Sequence, residues 1–330
     1  MPDVSHVGEA RRAVATLTLQ LGFDATAAGR VAIVATELAS NLAKHGGGGS
    51  LLLRAIDERT GIELLAVDRG PGIVDVDRAM RDGYSSGGTS GKGLGAVQRL
   101  SDVFDLYTAP GRGTVVMSRM GKLRDVTVPA PRLAEFGVVS VAVTGEHVSG
   151  DAWLITPGEN GPSVVVIDAL GHGEVAYEAA SLAVEIAKKH PGNSPTVLID
   201  ILHRGLRATR GVAIAVAEIN PSARGVRFAG VGNISCSIAA TGASRSFASL
   251  SGIVGHDVRR VQEFGATYES ADSLIMFSDG IATRWRLDQY PGVRPRHPAL
   301  AAALVYRDFA RPRDDATILI ARLPDDATVS

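Results

Sequence analysis

The chain has 330 residues, 45% of them hydrophobic and 21% charged, with a net charge of −1. Those proportions belong to an ordinary globular protein long enough for two domains, each with its own core, and they exclude a disordered chain. Near-neutrality removes the global field that would recruit nucleic acid or an anionic membrane, so neither is an expected partner. The start, MPDVSHVGEARR, lacks the basic and apolar regions of a secretory signal, and no apolar run is long enough to span a bilayer. A cytoplasmic setting is expected. The single cysteine, Cys236, lies in the strand-like run GNISCSIAA and reads as core packing.

In chain order, helical spacing of apolar residues predicts helices over Val7 to Leu21 and Ala25 to His45. The second carries Val31, Val34, Leu38 and Leu42 on one stripe and brings Glu37 and Asn41, one turn apart in TELASNLAKHG, together beside it. The four glycines Gly46 to Gly49 end that helix, and a strand, Ser50 to Ile56, follows at once. After a turn at Glu58 to Gly61 a second strand, Ile62 to Val67, runs into DRGPGI. There Asp68 supplies a carboxylate, and Gly70 and Gly72 let the backbone approach a flat ligand. Farther on, GGTSGKGLGAVQRL places Gly91, Lys92, Gly93 and Gly95 at the opening of a helix, where backbone N–H groups cradle anions. It is neither a P-loop nor a dinucleotide fingerprint. Strands at Val103 to Tyr107 and Thr114 to Met120 close this region.

The ordered set ELASN, DRGPG and GKGLG resembles the N, G1 and G2 boxes of the GHKL ATPases, and most nearly those of the small switch protein kinases of the RsbT/RsbW type. The resemblance implies an ATP site. Asn41 would help hold Mg²⁺ against the phosphates, Asp68 would accept from the adenine amino group, and Gly70 and Gly72 would admit the base. Gly91, Lys92, Gly93 and Gly95 would cover the phosphates, and Thr114 would touch the purine. Glu37 corresponds to the general base that takes a proton from an attacking hydroxyl. No histidine phosphoacceptor domain accompanies these boxes, which points to direct transfer onto a protein serine or threonine.

The stretch after Met120, GKLRDVTVPAPRLAE, is polar and contains Pro129 and Pro131, and reads as a linker. The expected division is 1–121, linker 122–134, and 135–330. Beyond it come strands: FGVVSVAV, then GDAWLIT opening on Asp151, then SVVVID ending on Asp168 and Ala169 in a glycine-rich bend with His172. Helices are expected over Glu174 to Lys189 and Thr196 to Ala208, and a meander over Val212 to Ile219, Val226 to Val231 and Ile234 to Ala239 with GVGN as its turn. The strand Leu274 to Phe277 ends at Asp279, and Asp314 and Asp315 precede the strand Thr317 to Ala321. Carboxylates gathered at one sheet edge repel by several kcal/mol unless cations neutralise them, which points to a metal site. Oxygen-only ligands suit Mg²⁺ or Mn²⁺, and no Cys/His spacing for zinc exists.

The series GDAW, DALGHG, SDG and DDAT resembles the metal-dependent PPM (type 2C) phosphatases, most nearly the SpoIIE/RsbX-like serine/threonine phosphatases of bacterial partner switching. The resemblance implies that Asp168 bridges two ions, that the carbonyl of Ala169 is a ligand, that Asp151, Asp279 and Asp314 complete the set, and that a metal-bound hydroxide attacks phosphorus in line. The usual glycine is Ala169 here, which keeps the carbonyl ligand if φ stays negative. Asp315 is the lesser candidate beside Asp314, and Asn233 and the segment Ser251 to Gly255 read as structural. The expected fold is α+β in two domains, a GHKL α/β sandwich followed by an α-β-β-α phosphatase sandwich. The expected function is a bifunctional protein kinase and phosphatase acting on STAS-domain partners in stress or sigma-factor control. The alternative keeps the phosphatase and makes the first domain a nucleotide-binding, partner-sequestering module. Self-association is compatible with either.

Overall fold

The computed structural model describes residues 6–56, 60–81, 93–122 and 134–324. The chain forms two compact units, Met1–Pro129 and Ala130–Ser330. The expected turn at Glu58, the phosphate-loop residues Gly91 and Lys92, and most of the linker lie outside the described residues. Among the described residues no helix is long and apolar enough to cross a membrane.

In the first unit α1 (His6–Leu21) and α2 (Ala25–Lys44) precede β1 (Ser50–Ile56) and β2 (Gly61–Val67). A short α3 (Val76–Met80), α4 (Gly93–Leu100), β3 (Val103–Thr108) and β4 (Thr114–Gly121) follow. Asp24 starts α2 by accepting from the Ala27 N–H at 2.7 Å, satisfying one of the donors a helix start leaves over. The strands make one antiparallel sheet in the order β1-β2-β4-β3. Every second residue of β2, Ile62, Leu64 and Ala66, joins Val31, Val34, Leu38 and Leu42 of α2 in the core. Asp68 continues that alternation beyond β2 and so falls on the helix side.

The opposite face of the sheet carries a buried charge triad. Glu63 stands directly across from Arg54 on β1 and Arg119 on β4. Its carboxylate takes the Arg54 Nε–H at 2.5 Å and the Arg119 Nε–H at 2.6 Å. Burial alone would raise the Glu63 pKa, but the two guanidinium groups hold it below the ordinary value. The triad fixes strand register, since a slip by one residue would separate the charges.

The second unit begins with β5 (Glu135–Val141), β6 (Asp151–Pro157) and β7 (Pro162–Ala169), continues through α5 (Glu174–Lys189) and α6 (Pro195–Gly205), and then through β8 (Val212–Asn220), β9 (Gly225–Val231), β10 (Ser235–Ala240) and β11 (Ala243–Phe247). The remaining elements are β12 (Phe264–Thr267), β13 (Ser273–Phe277), α7 (Pro298–Phe309) and β14 (Ala316–Arg322). Two five-stranded sheets result, β11-β10-β13-β14-β5 and β12-β9-β8-β7-β6. Val164 and Val166 pack between the sheets with Phe228, Met276 and Leu319. The alternate residues Val165 and Ile167 pack outward on α5 and α6. Helix α7 covers the other sheet through β5 and β14. This is the expected α-β-β-α sandwich. Cys236 sits in the inter-sheet core, its thiol pushed well up by burial.

One expectation fails. β9 and β10 are not neighbours in a meander: β9 pairs with β8 and β12, whereas β10 lies in the other sheet between β11 and β13. The segment GVGN is therefore a crossover. Gly232, at φ +101°, leaves room for Ala213 where a side chain would collide, and the chain passes there from one sheet to the other. The strands β11 and β12 and the helices α3 and α7 are additions to the expected set. β11 is short and exposed along most of its length, so it carries no alternation to read.

Replacing Glu63 with glutamine removes the buried anion that the Arg54 and Arg119 guanidinium groups share. The substitution is expected to destabilise the first unit by about 3–5 kcal/mol, read from urea unfolding.

Candidate functional site

The first candidate site forms where the end of β2, the turn before β4 and the end of α2 meet. The Asp68 Oδ1 accepts from the Gly70 N–H at 2.8 Å and the Thr114 N–H at 3.0 Å. Two backbone donors thus fix the carboxylate beside Thr114, whose hydroxyl lies 3.1 Å from that of Thr108. Thr108 also accepts from the Ile73 N–H at 2.8 Å, tying down the turn after Gly72.

Missing side chains make the close approach. A Cβ on Gly46 would lie 2.8 Å from the Asp68 Cβ, and one on Gly70 would lie 2.9 Å from the Gly46 Cα. At Gly72 and Gly113, both with positive φ, a Cβ would collide with the backbone of Ala109 and Asp68 respectively. The four-glycine run thus does more than end a helix, since Gly46 and Gly49 both pack against Asp68. Glu37 and Asn41 lie half-buried at the edge of the apolar stripe of α2. The Asn41 carbonyl accepts from the Gly46 N–H at 3.1 Å, linking that helix end to the wall of Asp68. Gly93 and Gly95 open α4, which packs on α2.

The second candidate site lies at the end of the inter-sheet layer in the other unit. Asp151 and Asp168 are directly paired across β6 and β7, on the face that looks toward the opposite sheet. From that sheet the Ser278 hydroxyl donates to Asp151 Oδ2 at 2.6 Å and accepts from the Thr317 N–H at 3.0 Å. Asn233 Nδ2 donates to Asp279 Oδ2 at 2.7 Å. Asn233, read from sequence as structural, therefore touches the acidic centre.

Asp314 and Asp315 have different roles. Asp315 is buried and accepts from the Val143 N–H at 2.7 Å and the Gly150 N–H at 2.6 Å, so both oxygens are engaged in holding loops. Asp314 faces Asp279, and burial together with the Asp279 charge raises its pKa. Ala169, the last residue of β7, does not have a positive φ, which meets the condition for keeping its carbonyl direction. His172 Nδ1 lies 2.9 Å from Glu146 Oε1.

Electrostatics single out Asp168. Burial pushes its pKa up to about 8, with the charges of Asp151, Asp279, Asp314 and Asp315 adding to the rise. Burial likewise pushes Asp151 up to about 7, against the hydrogen bonds from Ser278 and Thr317. The Asp168 Oδ2 is buried and has no hydrogen-bond partner among the described residues. No group of three His, Cys, Asp or Glu side chains among those residues already stands ready to hold an ion. The donor set nevertheless fits a hard divalent cation, because it is all oxygen and contains an orphaned buried carboxylate oxygen.

Comparisons with known proteins bear on the family and the fold of the chain. Residues 1–119 match the histidine kinase-like ATPase domain family. The serine/threonine-protein kinase RsbT of Bacillus subtilis is 34% identical over 111 residues, which make up 33% of this chain and 84% of RsbT. A solved structure described as belonging to the bacterial stressosome, a modular system adapted to control secondary messenger signalling, superposes with a TM-score of 0.53 at 26% identity. It covers 57% of this chain, more than the first unit contains, and 99% of its own. The structure of RsbX in complex with magnesium has a TM-score of 0.48 at 20% identity, covering 58% of this chain and 96% of its own.

Two outcomes are expected. A carboxyl group whose folded pKa is raised supports the fold while protonated; that support is complete below about pH 4 and is lost as pH rises through about 7 to 8. Metal-free protein should therefore melt lower at pH 8 than at pH 5.5, Mg²⁺ should restore the loss, and Asp168→Asn should melt higher than wild type at pH 8 without responding to Mg²⁺ in calorimetry. Asp315→Ala should destabilise the second unit by about 2–4 kcal/mol in urea, since it orphans two backbone donors, whereas Asp314→Ala should leave stability within about 0.5 kcal/mol of wild type or above it.

Through its first unit the chain belongs to the RsbT-like family of histidine kinase-like ATPases, and its second unit is an α-β-β-α sandwich.

Proposed function

We propose that the protein is a bifunctional partner-switching enzyme, whose first unit phosphorylates a serine or threonine of a STAS-domain protein and whose second unit removes that phosphate. The observation that carries the reading is the convergence of Asp151, Asp168, Asp279 and Asp314 in a chain whose other unit is related to a serine/threonine kinase. In the kinase half, Asp68 would fix the adenine, Asn41 and the glycines opening α4 would hold the phosphates and their Mg²⁺, and Glu37 would take the proton from the attacking hydroxyl.

In the phosphatase half, Asp168, the Ala169 carbonyl, Asp151, Asp279 and Asp314 would hold Mg²⁺ or Mn²⁺. Bound there, the cations would supply charge neutralisation and Lewis acidity. The chain's own part is orientation. Ser278 and Thr317 steady Asp151, Asn233 steadies Asp279, and Asp315 braces the loops that bring them together. The similarity to a stressosome structure supports a place in stress regulation, and the cytoplasm is the setting in which such partners and ATP meet.

The test incubates a STAS-domain protein with ATP and Mg²⁺ or Mn²⁺. Asp168→Asn should accumulate phosphoprotein and release phosphate at least about 100-fold more slowly than wild type. Glu37→Gln should transfer no phosphate yet still hydrolyse phosphoprotein. Nucleotide binding without transfer by Asp168→Asn would instead identify the first unit as a nucleotide-sensing, partner-sequestering module.

A further inference from the structure

The Ala169 carbonyl, the backbone ligand of the proposed metal set, shares a planar trans peptide with the Leu170 N–H, so the two point in opposite directions. That N–H donates to the Gly211 carbonyl, just before β8, at 3.3 Å. On the other side the Ala169 N–H donates to the Gly150 carbonyl, just before β6, at 3.0 Å. The Ala169 carbonyl is therefore turned away from β8 and toward the side of β6, where Asp151 stands opposite Asp168. Its aim is set by whatever holds the Leu170 peptides.

The 3.3 Å contact lies beyond the roughly 2.7–3.2 Å span of a good N–H···O bond and restrains the bend only weakly. A stronger restraint follows at once. The Leu170 carbonyl accepts from Arg210 Nη1–H at 2.6 Å, and a bond from a charged donor is roughly twice as strong as a neutral one. Gly171 admits the guanidinium: its φ is +81°, and a Cβ there would lie 2.7 Å from the same nitrogen. Arg210 is exposed, and among the described residues this carbonyl is the one partner of its side chain. Its backbone is well founded. The Thr209 hydroxyl donates to the Leu206 carbonyl at 2.8 Å and accepts from the Gly211 N–H at 3.1 Å. His256 Nε2 lies 2.9 Å from the Thr209 carbonyl, and Val212 and Val254 exchange backbone hydrogen bonds at 3.0 and 2.9 Å. The segment Ser251 to Gly255 thereby braces the chain that carries the guanidinium.

We propose that Arg210 is a positioning residue for the metal centre: by fixing the bend at Leu170 it aims the Ala169 carbonyl at the cation that Asp168 and Asp151 would hold. The inference rests on the phosphatase reading of those carboxylates.

The experiment titrates Mn²⁺ into the metal-free, full-length protein by calorimetry and records the melting curve without metal. Arg210→Met keeps an unbranched side chain and removes the donors. It should bind Mn²⁺ about tenfold more weakly, the order of loss expected when a ligand's supporting hydrogen bond is removed, while melting as wild type does in the metal-free state. One N–H suffices for one carbonyl, so Arg210→Lys should regain affinity to within about threefold of wild type. A merely structural brace would instead lower the metal-free melting temperature and leave the affinity of the folded protein alone. Wild-type affinity in Arg210→Met overturns the inference, as does a loss that Arg210→Lys leaves unrelieved. A wild type that binds no Mn²⁺, or an Asp168→Asn variant that binds it equally well, overturns the metal reading of the carboxylates and the inference with it.

Discussion

Much of the second unit depends on the buried carboxylate of Asp315. Its two oxygens hold the backbone N–H groups of Val143 and Gly150, so the loop between β5 and β6 is tied to the start of β14. Gly280 lacks a side chain and lies against the Asp315 carbonyl, which draws in the turn carrying Asp279. A carboxylate with both oxygens on backbone donors can anchor a region whose other carboxylates repel one another. The mutually repelling carboxylates are held in place because one acid among them is spent on backbone bracing.

The same division of labour recurs around Asp68 in the first unit. One oxygen accepts two backbone N–H groups, and the chain around it comes close because glycine stands at each crossing point. In both units a carboxylate sits at or just past the end of a strand whose alternation directs it to a packed layer, toward the helices in one case and between the sheets in the other. Both candidate sites thus use one structural device, an acid delivered by strand period to the rim of a core.

Most of this was legible in the sequence where pattern and chemistry coincide. The helix Glu174–Lys189 and the strand Ser50–Ile56 fall where apolar periodicity put them, since long runs of one period leave little ambiguity. The convergence of Asp151 with Asp168 follows from consecutive strands joined as a hairpin. What escaped the sequence was long-range. GVGN looks like a hairpin turn, and only the pairing of β10 with β13, far along the chain, makes it a crossover. Ser278 was visible beside Asp279 in SDG, but its bond to Asp151 spans 127 positions. The partnership of Asn233 with Asp279 was hidden in the same way, and so was the difference between Asp314 and Asp315, which local sequence cannot express.

The glycines around Asp68 also bear on the unfolded chain. Each leaves that chain about 0.4–1 kcal/mol more conformational freedom than alanine would, so Gly46, Gly49, Gly70, Gly72 and Gly113 together weaken the empty fold by roughly 2–5 kcal/mol. A ligand present at a hundred times its dissociation constant contributes about 2.7 kcal/mol to the folded state. The two quantities are of one size. A nucleotide in this site would act as a structural component as well as a phosphate donor, and its supply would set the rigidity of the first unit.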